Sequence, residues 1–579
     1  MLQGVIAAAR DVTALKRIEQ KLQQKNVELE EASRMKSANS VAHAVVEKAR
    51  KTTEKAGDTV VEAGEKLTKL GERRPSPCGV TGSLRRAPTC RCGPSPARPP
   101  ASSTSAVTWS FRASTTRMTT WARRRSPWPS RPCPPRPPTP RSAWSSIRCA
   151  SRRVAKGTRL RTDIGMQFLD DATARRRMLD AAAPDNPVIL WSWTGHDAVF
   201  NTAALRALNL ADDARDPLGG EFERDSQGRL TGRRRGYAQA AALRHLYSLL
   251  PDSTILSSLR QYAAEGLKFG ITSVQDMHGY LDPATTVRVL RAARLPIRLR
   301  VVPYFMTDTR GRLTAEWANV DRHPDAMTVV SGAKYVLDGS PIERMAFMRV
   351  SYADRAAWRG QLGFPEDTVR AILAEALASK TPLLLHAVGD STPRLIFGLM
   401  QQLAPDSAWR PLRVRLEHGD GVTTDLLPVA RRLGVVIVEN PTHFAIGADM
   451  IGHRYGRVPP DFQAQRSLLA AGIPFALGSD GPRNPFTNVM YATTHPTNPG
   501  EAITREQAVT AYTLGSAYAE FAERDKGMLA PGMLADLAVL SKDIFMIAPA
   551  DLPTTLSVLT MIGGRVVFET GVLNNPIRR

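Results

Sequence analysis

The chain predicts an α/β fold: a TIM (β/α)8 barrel lacking a recognisable first strand, with a small β domain at the C-terminus and a helical N-terminal extension. Two observations predict the barrel. From about residue 186 onward, short apolar runs alternate with helical stretches such as Thr368–Ser379 and Thr424–Leu433, the rhythm of parallel strands joined by crossover helices. Four of the runs also stop at, or carry, a residue suited to metal or proton chemistry. Lys334 lies in Ala333-Lys334-Tyr335-Val336-Leu337-Asp338, and His386 follows Leu383-Leu384-Leu385. His418 follows Val414-Arg415-Leu416-Glu417, and Asp480 ends Ile473-Pro474-Phe475-Ala476-Leu477-Gly478-Ser479. Parallel barrels gather their reactive groups at the carboxyl ends of the strands, so these four converge if the fold is right. Taken singly, a histidine after an apolar run is usually structural and an aspartate before Gly-Pro is usually a turn residue. The set of four points to a metal site.

The domain reading divides the chain at 1–72, 73–160, 161–526 and 527–579. In the first part, Gly4-Val5-Ile6-Ala7-Ala8-Ala9 reads as a short strand, followed by a long polar helix from about Ala14 to Ser37 and a Lys/Glu-rich helical stretch over 41–70. Gly4 to Asn39 resembles the end of a PAS sensor domain and the linker to a histidine-kinase dimerisation helix. The phospho-accepting His-Glu motif of that family does not follow, because His43 sits in Val41-Ala42-His43-Ala44. A coiled coil or helical hairpin that mediates self-association is the reading that remains, which makes a homo-oligomer the expected assembly.

Residues 73–160 have a different composition. The 579-residue chain has a formal charge of +23, yet Asp and Glu are absent between Glu72 and Asp163 while Arg recurs throughout. All five cysteines (Cys78, Cys90, Cys92, Cys133 and Cys149) fall there, and Cys90-x-Cys92 lacks the paired spacing of a zinc site. Pro134-Pro135-Arg136-Pro137-Pro138 breaks any regular element. A basic linker that binds nucleic acid is one reading. The preferred one is a GC-rich gene read out of frame, which yields Arg, Pro, Ser, Ala, Trp and Cys with few acids. Because the excess charge is confined to this window, no specific nucleic-acid partner is expected for the body. No apolar run is long enough to span a membrane and no signal peptide is evident, so the expected location is cytoplasmic.

In the body, Asn186-Pro187-Val188-Ile189-Leu190-Trp191 is strand-like and leads to Gly195-His196-Asp197-Ala198-Val199-Phe200-Asn201. Gly270–Asp276 fits barrel strand two, and Ile297–Tyr304 fits strand three. Lys334 lies on strand four, His386 on five and His418 on six; Gly434–Asn440 fits seven, and Asp480 ends eight. Thr504 is the expected N-cap of a helix that starts at Ile503–Ala508. Gly527–Leu540 leaves the barrel for the β domain, which runs on to Thr560–Phe568, with no convincing completing strand upstream.

Gly332-Ala333-Lys334 with Asp338-Gly339-Ser340, His386-Ala387-Val388-Gly389-Asp390, Leu416-Glu417-His418-Gly419-Asp420, Asn440-Pro441-Thr442-His443-Phe444 and Gly478-Ser479-Asp480-Gly481-Pro482 together resemble the amidohydrolase superfamily. The closest branch is the amidohydrolase-3 group, which includes enzymes resembling N-substituted formamide deformylases. The resemblance spans roughly Asp163 to Gly571. It implies a metal-dependent hydrolase acting on a non-peptide C–N bond of a small molecule, through a water activated by a divalent metal, zinc by preference. It implies metal ligation by Lys334 (carboxylated by CO2), His386, His418 and Asp480, with Asp480 as general base and then general acid. Lys334 has the alternative of an internal ion pair. His196, His278, Arg344, His443 and Arg483 are the expected substrate-pocket residues, His196 standing equally well as a structural histidine. The family also carries a His-x-His motif at the end of its first strand. None of the ten histidines here is so spaced, and that strand would fall inside the 73–160 window. The chain as written therefore keeps ligands for one ion rather than two. The competing reading is an inactive relic of the fold with a helical self-association segment.

Overall fold

The computed structural model describes residues 7–8, 147–164, 170–171, 175–192, 195–445, 461–480 and 483–572. The N-terminal helices and most of the Arg/Pro-rich window lie outside the described residues. The described body resumes at Ile147, inside that window, where Ile147 and Leu160 are buried with Leu179, Val188, Leu190 and Val199.

The short N-terminal strand is present as β1 (Ala7–Ala8). Next come β2 (Leu160–Ile164), β3 (Val188–Ser192), β4 (Asp197–Phe200), β5 (Gly220–Arg224) and β6 (Leu230–Gly236). They form a mixed sheet in the order β2-β3-β4-β6-β5 that the sequence reading did not assemble. Asn201 explains its first turn. Buried completely, it caps the helix Thr202–Ala207 by accepting from Ala204 N at 2.9 Å, accepts from Val188 N at 2.8 Å, and donates to Asn186 O at 2.8 Å and Ala183 O at 3.1 Å. Four bonds from one amide satisfy a buried corner that the backbone alone leaves open.

All seven barrel strands expected from the sequence are found. β7 (Ser273–His278) and β8 (Arg298–Pro303) pair in parallel. A two-residue hairpin follows, β9 (Thr307–Asp308) with β10 (Gly311–Arg312), and β11 (Thr328–Val330) adds to the other edge of β8. β12 (Ala333–Val336), β13 (Leu383–Ala387), β14 (Arg415–His418), β15 (Val436–Glu439) and β16 (Phe475–Leu477) form one parallel sheet in chain order. Every residue of β12 to β16 is buried, as strands covered on both faces must be. A single bridge, Tyr304 to Lys334, links the two sheets. Among the described residues no strand lies between β7 and β16, so the ring of strands is left open where a first strand belongs.

The crossover helices show the expected local logic. Glu366–Ser379 carries Glu366 and Asp367 in its first turn, where carboxylates complement the helix dipole, and ends at Lys380 in the left-handed region (φ 53°). It buries Val369, Ile372, Leu373 and Ala376, an i, i+3, i+4, i+7 stripe worth roughly 1.5–3 kcal/mol for each large side chain. The helix Arg505–Thr510 starts as expected at Thr504, which forms a full capping box with Gln507.

β17 (Leu537–Leu540), β18 (Ser557–Ile562) and β19 (Arg565–Glu569) make the C-terminal sheet. The expectation that nothing upstream completes this sheet is corrected: β1 pairs in parallel with β17, Ala7 opposite Val539 and Ala8 opposite Leu540. The short apolar stretch Val5–Ala9 gave no periodicity by which to foresee its partner.

Candidate active site

Strand register places the expected groups on neighbouring strand ends. Lys334 lies opposite Leu384, Val336 opposite His386, and Ala387 opposite His418. His418 and Asp480 both turn inward through left-handed backbone, φ 74° and 36°. Neither residue is glycine, so each conformation costs on the order of 1 kcal/mol, the kind of strain that gathers at working sites. Gly419 (φ 64°) follows His418 so closely against Ile437 that an added Cβ would lie 2.5 Å from its Cγ2. That contact confines the turn to glycine.

Four imidazoles run across the site. Ring centroids are 5.2 Å apart for His196 and His386, 4.4 Å for His386 and His418, and 5.4 Å for His418 and His443. At one end of this row, donor atoms of His418, His443 and Asp480 lie within 4.8 Å of one another. Asp480 Oδ2 is 3.8 Å from His418 Nε2 and 3.4 Å from His443 Nε2. Two imidazoles and a carboxylate at this spacing are a donor set suited to a divalent cation such as zinc. The Asn440 side-chain amide lies 3.3 Å from Nδ1 of His418 and fixes that ring from behind.

Asp338, at the end of strand four, ties the site together. Its buried carboxylate accepts from Phe347 N (3.1 Å), Val388 N (3.0 Å), Gly389 N (2.9 Å) and Thr392 Oγ1 (2.7 Å), and lies 3.8 Å from His386 Nε2. Burial outweighs these four bonds and pushes its pKa up to about 6. Lys334 is buried beneath the row, and its charge, after that of Arg415, is among those that hold down the pKa of Glu417. Desolvation is larger still and leaves Glu417 above the usual carboxylate range, although Arg415 Nη2 is 2.9 Å away. Glu439 on β15 is fully buried, and burial with the nearby charges of Asp420 and Glu501 raises its pKa well above normal.

Of the residues named from the sequence, His386, His418, Asp480, His443 and His196 come together. The triad with metal-ligand spacing includes His443, which the sequence reading gave to substrate, and omits Lys334 and His386. The missed signal was positional, because His443 follows the end of strand seven as His386 and His418 end strands five and six. His278 closes β7 opposite Pro303. Arg344 and Arg483 are engaged elsewhere: Arg344 binds Asp170 and Asp354 at 2.8 and 2.7 Å, and Arg483 pairs with Glu265 over the Tyr262 ring. Both arginines sit in loops after strands, where sequence spacing cannot tell a substrate ligand from an ion pair. Asn440, Glu417 and Glu439 were not singled out; the last two had a signal, an acid at the end of an otherwise apolar run.

The Amidohydrolase family matches residues 140–568. YtcJ of Bacillus subtilis (strain 168), named as an amidohydrolase, is 25% identical over 412 residues, covering 68% of this chain and 76% of that protein. An N-substituted formamide deformylase of Arthrobacter pascens is 24% identical over 417 residues, covering 68% and 76%. Among solved structures, an uncharacterized metal-dependent hydrolase from Pyrococcus horikoshii OT3 superposes with a TM-score of 0.54 at 20% identity, covering 70% of this chain and 81% of that one. One from Pyrococcus furiosus gives 0.51 at 22%, covering 69% and 81%.

Proposed function

The chain belongs to the amidohydrolase family, and from that premise we propose that it hydrolyses a non-peptide C–N bond, an amide or formamide of a small molecule, with a single divalent cation, zinc by preference. The observation that carries the reading is the convergence of His418, His443 and Asp480 within 4.8 Å at the strand ends. These three residues hold the ion. A cation bound there supplies a water with a pKa of about 7 and a polarised substrate carbonyl.

The protein's own groups do the rest. Asp480, buried and beside both imidazoles, takes the proton of the attacking water as that oxygen bonds to the carbonyl carbon. It then delivers the proton to the nitrogen as the C–N bond breaks, giving a carboxylic acid and an amine. Asn440 keeps the His418 ring oriented, and Asp338 holds the loop after strand five so that His386 faces the row. Lys334, carboxylated by CO2, would add an anionic ligand from strand four. Its nearness to Glu417 favours the uncarboxylated ammonium as counter-charge. The Arthrobacter relative's name supports the formamide class for this chain.

The test is zinc titration of chelator-treated protein with an N-substituted formamide, following release of the amine. Zinc-dependent turnover that falls at least a hundredfold in Asp480→Asn, with zinc still bound, is the expected result. Zinc binding without turnover on any amide tried supports the relic reading instead. Among the described residues no helix is long and apolar enough to cross a membrane. A cytoplasmic location and self-association through the N-terminal helices, which lie outside the described residues, belong to the same proposal.

A further inference from the structure

The open place in the ring of strands is also a cavity. A void of about 240 Å³ runs along β7 from Phe269 to Gln275 and reaches Ser479, just past β16. Its outer wall is apolar, with Phe486, Val489, Val509 and Leu540. On its inner side Gln275 bonds to Arg415 of β14 and donates to Ser516 O at 3.2 Å. The Ser273 hydroxyl lines the void, is shielded from solvent and has no hydrogen-bond partner.

We propose that this void is a strand-acceptor site. It takes one extended peptide segment that inserts between β7 and β16, parallel to both, with apolar side chains facing outward and small polar ones inward. Continuity of the ladders fixes the direction of the occupant. β7 is already paired in parallel with β8, and β16 with β15, so each presents its other edge to the gap in the same sense. The two walls fix its chemistry, because alternate residues of an inserted strand face opposite sides. Valine matches the wall of Phe486, Val489 and Val509; threonine matches the side of Gln275 and the unpartnered Ser273 hydroxyl. Backbone bonds on two edges at once, rather than one, separate this site from ordinary addition to an open sheet edge. The gap is too narrow for a helix, whose diameter with side chains is roughly 10–12 Å, twice the spacing of adjacent strands. The inference does not depend on the hydrolase reading.

The probe is an acetylated, amidated hexapeptide of alternating valine and threonine, labelled for fluorescence anisotropy and added to the full chain. Hydrogen exchange on the unmodified protein is the primary readout. The expected result is at least tenfold slower exchange in both β7 and β16 on binding, with β18 unchanged. Ala517→Trp, which fills the cavity from its wall, should weaken binding at least tenfold while leaving the far-ultraviolet circular dichroism intact. An alanine-rich helical peptide of equal length should not bind. Protection confined to β19 would overturn the proposal, since it would mean the peptide merely extends the open edge of the C-terminal sheet. Absence of protection in β7 and β16 at peptide concentrations that saturate anisotropy would overturn it as well, and that outcome is readable even if the Ala517 variant fails to fold.

Discussion

Arg234 offers a sharp test of how the insertion sheet is held. It lies on β6 opposite Ala198 and Phe222, is 1% exposed, and its three guanidinium nitrogens have no hydrogen-bond partner. The rings of Phe200 and Phe222 flank it at 4.4 and 5.0 Å. Its neighbours Arg233 and Arg235 point to the other face, where Asp197, Glu221 and Glu223 receive them. Burial lowers the Arg234 pKa from 12.5 to about 9, equivalent to a cost on the order of 5 kcal/mol for keeping it charged at neutral pH. Contact with two aromatic faces offsets about 2 kcal/mol of this. Arg234→Met, similar in length and able to fill an irregular space, should therefore stabilise the chain by about 3 kcal/mol. The assay is urea unfolding at pH 7, read as a higher midpoint with an unchanged slope. The pH dependence has a definite sign. Between pH 9 and 12.5 the unfolded chain holds the Arg234 proton more firmly than the folded one, so wild-type stability rises with pH there and the advantage of the variant shrinks. A midpoint lowered in Arg234→Met would refute the reasoning, because it would mean the guanidinium has a stabilising partner.

Further outcomes follow from the site and its supports. Glu439→Gln should gain stability over wild type as pH rises above about 4.5, since the folded state holds the Glu439 proton to a higher pH than the unfolded state does; equal pH profiles for the two proteins would show that the carboxylate is solvated. Asp338→Ala strands four donors and should cost about 3 kcal/mol or more in thermal unfolding, with zinc affinity falling alongside; a shift under 1 kcal/mol would mean the loop after strand five is held by other contacts. Thr504→Ala removes one half of a capping box and should cost about 1 kcal/mol with no effect on zinc binding. Reading the coding DNA across residues 73–160 in its other two frames should reveal a strand ending in His-x-His. If neither frame contains one, the basic window is genuine protein and the out-of-frame reading is lost.

The period of the apolar runs was enough to place seven barrel strands, because a parallel strand buried on both faces leaves a short, nearly continuous apolar stretch in the sequence. The residues that end those stretches, His386, His418 and Asp480, were legible for the same reason. The Thr504 cap was equally local, being a property of four consecutive residues. Other features depended on distance in space rather than in sequence. His443 joins Asp480 only because β15 and β16 lie side by side, and Arg344 and Arg483 are turned to carboxylates 174 residues away in one case and on the helix Asp252–Leu267 in the other. The inward turn of His418 is a backbone angle that no residue pattern announces. The chain by itself determined which elements form and which chemistry ends them, since those depend on neighbours a few residues apart. Only the tertiary structure decided which donors share a point and where the ring of strands stays open, since those depend on which distant edges meet.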